Sequence, residues 1–157
     1  MAGGMVLCPL WAAEAPEANP VLEIAAGGST QKVTKAELQA ILAPVEWTVY
    51  SPVYQRQMTY EGFWLEDIFS ARHVSAAGTD IVFKCADGYG TSLSASEVGE
   101  HKWLVAFGEP QGWTPLPERN VLTLPGPWYV IGREASSYQE TPWPYRVVAI
   151  EISGTDF

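Results

Sequence analysis

The chain has 157 residues, 47% hydrophobic and 17% charged, enough to bury one core and with no sign of extended disorder. Eighteen acidic residues against nine basic ones give a net charge of −9. That balance disfavours partners bound through clustered Lys and Arg: nucleic acid, anionic membranes and polyphosphates. Seven Trp, seven Tyr and twelve Pro point to a β-rich, loop-rich body rather than a helical bundle.

The first fifteen residues, MAGGMVLCPLWAAEA, read as a leader. Met5 to Ala13 is apolar and Ala13-Glu14-Ala15 is an A-x-A-like cleavage pattern. No basic residue precedes the apolar run, which leaves room for a start further upstream. Residues 16–157 are then expected to form a single exported domain. No later segment approaches the ~20 apolar residues of a membrane span, so none is expected after leader removal. Cleavage takes Cys8 away and leaves Cys85 unpaired in an oxidising compartment, which favours burial, ligation or an intermolecular role.

Val21 to Ala25 alternates like a half-buried strand and stops at Gly27-Gly28. Thr34-Lys35-Ala36-Glu37 is a capping box that opens a helix to about Leu42, with Leu38, Ile41 and Leu42 inward and Pro44 ending it. Val45 to Tyr60 is strand-like with a break at Ser51-Pro52, and Gly62 to Ala71 reads as a second helix burying Leu65, Ile68 and Phe69. Ile81 to Cys85 and Thr91 to Leu93 are strands, and Ser94-Ala95-Ser96-Glu97 caps a third helix. Lys102 to Phe107 is a strong strand, followed by a Pro-rich surface loop over Glu109 to Pro117. Val121 to Leu124, Trp128 to Ile131 and Arg146 to Ile152 complete the strands, with a polar loop over Gly132 to Pro144. The sum is an α+β domain: a mixed, mostly antiparallel β-sheet with two or three short helices.

The stretch IVFKCADGYGTSLS, Ile81 to Ser94, concentrates the chemistry. Cys85 ends an apolar strand beside a glycine turn, a place for a metal ligand or redox centre and equally for a small buried hydrophobe. Asp87 is a candidate acid, although Asp-Gly is foremost a turn signal. Tyr89 and Tyr60 are candidate pocket walls or plain packing aromatics. His73 and His101 lack the close ligand spacing of a metal site and are expected at the surface. Arg133 and Arg146 are the best anion contacts, with surface ion pairs as the ordinary alternative. Trp113, Trp128 and Trp143 could form an apolar recognition surface or fold back over the core.

Several segments, in order, resemble a known family. Tyr60-Glu61-Gly62-Phe63-Trp64-Leu65-Glu66-Asp67-Ile68-Phe69 resembles the Y-x-G-x-x-L-x-D-[IL]-[FL] segment of the oxidoreductase molybdopterin-binding domain, the sulfite-oxidase-like fold. Ile81 to Tyr89 resembles its strand running into a D-G-Y turn. Gly126 to Ile131 and Trp143 to Ile152 resemble its G-G-P-x-R-L-V segment and last strand. The resemblance spans roughly residues 20 to 152. It implies Cys85 as the molybdenum ligand of a molybdopterin cofactor, with Asp87 and Tyr89 beside the open coordination position. Arg133 or Arg146 would meet the cofactor's phosphate or an oxyanion substrate.

The chain departs from the catalytic pattern in being short, in scattering its basic residues singly, and in having no arginine after Gly126-Pro127 until Arg133. The leading expectation is therefore an exported accessory or binding module of periplasmic redox chemistry, beside a partner such as a c-type cytochrome. The alternatives are a minimal molybdenum-cofactor oxidoreductase with Cys85 as metal ligand, and a structural interaction domain using the Trp-bearing loops.

Overall fold

Alternating segments, together with the continuous apolar runs WLVAFG and YVIG, build two sheets rather than the single one expected. The computed structural model describes residues 19–76, 78–117 and 123–152, so the expected leader lies outside the described residues. Strands β1 (Val21–Ala26), β2 (Ser29–Thr34), β5 (Ile81–Cys85), β6 (Gly90–Leu93) and β9 (Val147–Ile152) form a five-stranded sheet in the order β2-β1-β9-β5-β6. Strands β3 (Val45–Ser51), β4 (Arg56–Trp64), β7 (Trp103–Gly108) and β8 (Tyr129–Gly132) form a four-stranded sheet in that order. Every pairing is antiparallel except β1 with β9. An isolated bridge from Trp128 to Val147 links the two sheets.

Four short helices connect them: α1 (Lys35–Gln39), α2 (Leu65–Ala71), α3 (Ala95–Glu100) and α4 (Ser137–Glu140). Both expected capping boxes are present. Thr34 and Ser94 each accept from the backbone three residues on, and Glu37 and Glu97 return the bond. One core takes Leu22, Ile24, Phe83 and Ile150 from the first sheet and Phe63, Leu104 and Val130 from the second.

The structure corrects several expectations. Gly62, Phe63 and Trp64 finish β4, and the second helix begins only at Leu65. Gly62 packs so close to Val105 and Ala106 that the strand must run there. Strand β2, hidden by its polar sequence STQKVT, hairpins back on β1 through Gly27-Gly28. Helix α1 ends at Gln39, which leaves Ile41 exposed. The loop over Glu109 to Pro117 buries Trp113 and Leu116. Gly132 ends β8, and α4 interrupts the loop expected from there to Pro144. Of the strand expected over Val121 to Leu124, the first two residues lie outside the described set, and Thr123 and Leu124 are not in a strand. His101 is largely covered, at 15% side-chain exposure, and hydrogen-bonds Glu134 at 3.3 Å.

The tryptophan recognition surface does not form. Trp113, Trp128 and Trp143 are 8%, 0% and 2% exposed, and they pack on Tyr129, Phe107 and Tyr138 in edge-on contacts. Indole burial of this size stabilises the fold and leaves little ring to offer a partner.

Candidate functional site

Strand β5 aims Ile81 and Phe83 into the core and turns Val82 and Lys84 outward. Strict alternation would send Cys85 into the core as well. Instead the register against β9 shifts between Lys84 and Cys85, and this irregularity leaves the thiol half-buried at the strand end. Bulges re-aim side chains in this way. The turn that follows is closed by Cys85 N–H donating to the Tyr89 carbonyl (2.8 Å) and Gly88 N–H donating to the Cys85 carbonyl (3.0 Å). Asp87 Oδ1 accepts from Tyr89 N–H at 3.2 Å, the Asx turn its sequence suggests. Gly88 takes the left-handed conformation this turn needs, at φ 94°.

Arg146 meets this turn from the other side. Its carbonyl accepts from Ala86 N–H at 2.7 Å and its N–H donates to the Pro125 carbonyl at 2.7 Å. Its φ of 58° is a left-handed backbone that only a few per cent of non-glycine residues adopt. The two segments enclose an open cavity of about 430 Å³, with Cys85, Asp87, Tyr89 and Thr91 on one side and Trp143 and Arg146 on the other. That volume falls in the range of small-molecule sites.

Of the five residues that the resemblance implies for the cofactor, four therefore share one cavity: Cys85, Asp87, Tyr89 and Arg146. Arg133 lies elsewhere, its guanidinium stacked on Trp47 at 5.1 Å, with its carbonyl accepting from Trp47 Nε1 at 3.2 Å. Tyr60 is fully buried, edge-on to Tyr129, and burial pushes its phenol far up. Tyr89 is 74% exposed. The segment Pro142 to Tyr145 forms the remaining wall, and only Trp143 of it stands out in the sequence. No local pattern shows that this loop returns to the β5 turn; the long-range bridge of Trp128 to Val147 puts it there.

Burial, and after it the Asp87 carboxylate, push the Cys85 thiol from its ordinary 9.0 up to about 11. The sulfur is thus protonated at neutral pH, and any metal that bound it would have to displace the proton. This bears on the molybdenum–pterin group that the sequence resemblance implies. A strand-end thiol is a soft donor, the type of ligand such a metal would take. The anionic remainder of the group does not suit the cavity. Among its described lining residues Arg146 is the one cation, with Asp87 opposing it, whereas a phosphate calls for converging cations or N–H groups. The donor set fits the metal end and not the whole cofactor.

The chain matches no family model and no curated protein. Among solved structures it is similar to the sulfane dehydrogenase SoxCD of Paracoccus pantotrophus, with a TM-score of 0.56 and 15% sequence identity. The similarity covers 87% of this chain and 38% of that one, so this chain spans well under half the length of its structural neighbour. The likeness shows the fold: an α+β domain of antiparallel-dominated sheets and short helices, as the sequence resemblance implied.

Proposed function

We propose that the chain is a sulfite-oxidase-like domain acting as an exported binding or accessory module of periplasmic redox chemistry. The observation that supports this most is the Cys85 cavity itself, where a protonated thiol, a carboxylate, a phenol and one guanidinium face an open space. Such a mixture can hold a small polar ligand by hydrogen bonds, with Arg146 orienting an anionic group and Asp87 and Tyr89 accepting or donating beside it. A net charge of −9 favours encounter with a basic redox partner such as a c-type cytochrome.

The test is elemental analysis and pterin fluorescence on protein produced in a cofactor-competent exporting host, with a Cys85→Ala variant alongside. Folded protein with neither molybdenum nor pterin is the expected result. Stoichiometric molybdenum that disappears in Cys85→Ala would replace this reading with the minimal molybdenum oxidoreductase, in which Cys85 is the ligand. The partner is tested separately. Binding to a basic c-type cytochrome should weaken steeply between low and physiological salt, and salt-independent binding would remove the electrostatic argument.

A further inference from the structure

A second cavity, of about 630 Å³, lies at the opposite end of β5 from Cys85. The loop entering β5 and the helix leaving β6 frame it, so about 13 Å of strand separates it from the thiol. Its floor and walls are apolar: Leu65 and Phe69 of α2, Val74, Val98 of α3, and the indoles of Trp64 and Trp103. The volume is well inside the range of small-molecule sites, and apolar lining with a few placed polar groups is their usual make-up.

The polar groups on the lining are one ammonium, one carboxylate, two hydroxyls and the His101 imidazole. The Lys102 ammonium lies 5.2 Å from the Trp64 ring centroid and 3.3 Å from Glu66, on the cavity's edge. The Glu66 side chain is 65% exposed, and an ion pair so open to water is worth little. An incoming anion can compete for the ammonium because the exposed Glu66 carboxylate is free to swing into water, while the aromatic ring still holds Lys102. The hydroxyls of Ser70 and Ser75 add donors on the same lining.

We propose that this cavity binds a small amphipathic anion, with its apolar body between Trp64, Phe69 and Trp103 and its carboxylate or sulfonate on Lys102. The site is independent of the Cys85 cavity, and its occupant can be tested without any cofactor.

Decanoate below its micelle concentration, with 1-decanol as the neutral counterpart, is titrated into the folded protein by calorimetry. Saturable one-to-one binding of decanoate is expected. Lys102→Gln should weaken decanoate about tenfold, the scale of one charge-assisted hydrogen bond, and leave decanol unchanged. Absence of saturable binding overturns the proposal. So does a Lys102→Gln variant that weakens both ligands alike or neither. Lys102 is partly exposed, so its variant should fold and the test stays decisive.

Discussion

Cys85 keeps its proton because burial and the Asp87 carboxylate both penalise the thiolate, burial more. Alkylation by iodoacetamide should therefore be slow in the native protein at pH 8 and rise through a midpoint near 11 rather than 9.0. Asp87→Asn should bring that midpoint down but keep it above 9.0, since the larger cause remains. A variant profile identical to the wild type would remove Asp87 from the account. The same shift sets a stability trend. Between pH 9 and 11 the unfolded chain has lost the Cys85 proton while the folded one keeps it, so this group's contribution is full below pH 9 and disappears as pH rises through 11. Urea midpoints for wild type and Cys85→Ala should therefore move closer together across that window. At this scale the sequence was legible where chemistry is local: a thiol at a strand end, an Asx turn, a glycine at positive φ. Arg146 was named as an anion contact, but its left-handed backbone was not legible, because contacts to Pro125 and Ala86 impose it from distant segments.

Among the elements, β4 shows how a helical pattern can run ahead of the helix. Leu65, Ile68 and Phe69 have the 3.6-residue spacing that marks α2, and Gly62 looks like a permissive residue at its start. In the structure Gly62 sits inside β4, at the shift of register against β7. A Cβ there would press on the Val105 carbonyl oxygen and stand 2.6 Å from Ala106 Cα, both of them backbone and unable to swing aside. Gly62→Ala should cost about 1–3 kcal/mol by urea unfolding, the range for overpacking a closed site. Gly108 on β7 is the control, because its Cβ would meet nothing within 4 Å. Gly108→Ala should stay within about 0.5 kcal/mol of wild type. Equal losses at the two positions would show that strand glycine in general, and not this close approach, is being measured. Helix starts were legible at Thr34 and Ser94 because a capping box is written in four consecutive residues. α2 has no side-chain cap to announce it.

Across the whole molecule, the chain's first and last described strands lie side by side. Among the described residues β1 and β9 form the single parallel pairing, and β9 sits between β1 and β5 at the centre of its sheet. Parallel neighbours this far apart in sequence cannot form until most of the chain is in place, so closing the sheet pays the loop entropy late. This is also why the split into two sheets was not legible: a strand's apolar pattern shows which faces it buries, but none records which edge it joins. Folding should consequently be all-or-none, with far-UV circular dichroism and tryptophan fluorescence reporting coincident transitions. A chain stopped after Tyr145 loses β9, leaves facing backbone edges of β1 and β5 unpaired, and strips cover from Leu22, Ile24 and Phe83. It should show no cooperative melt and should bind anilinonaphthalene sulfonate strongly, as collapsed but unpacked chains do. A truncated chain that still melts cooperatively would mean that the four-stranded sheet folds by itself. The buried Trp128 argues against that: its indole N–H donates across to the Val21 carbonyl of β1 at 3.1 Å, so the second sheet is completed only by a strand of the first.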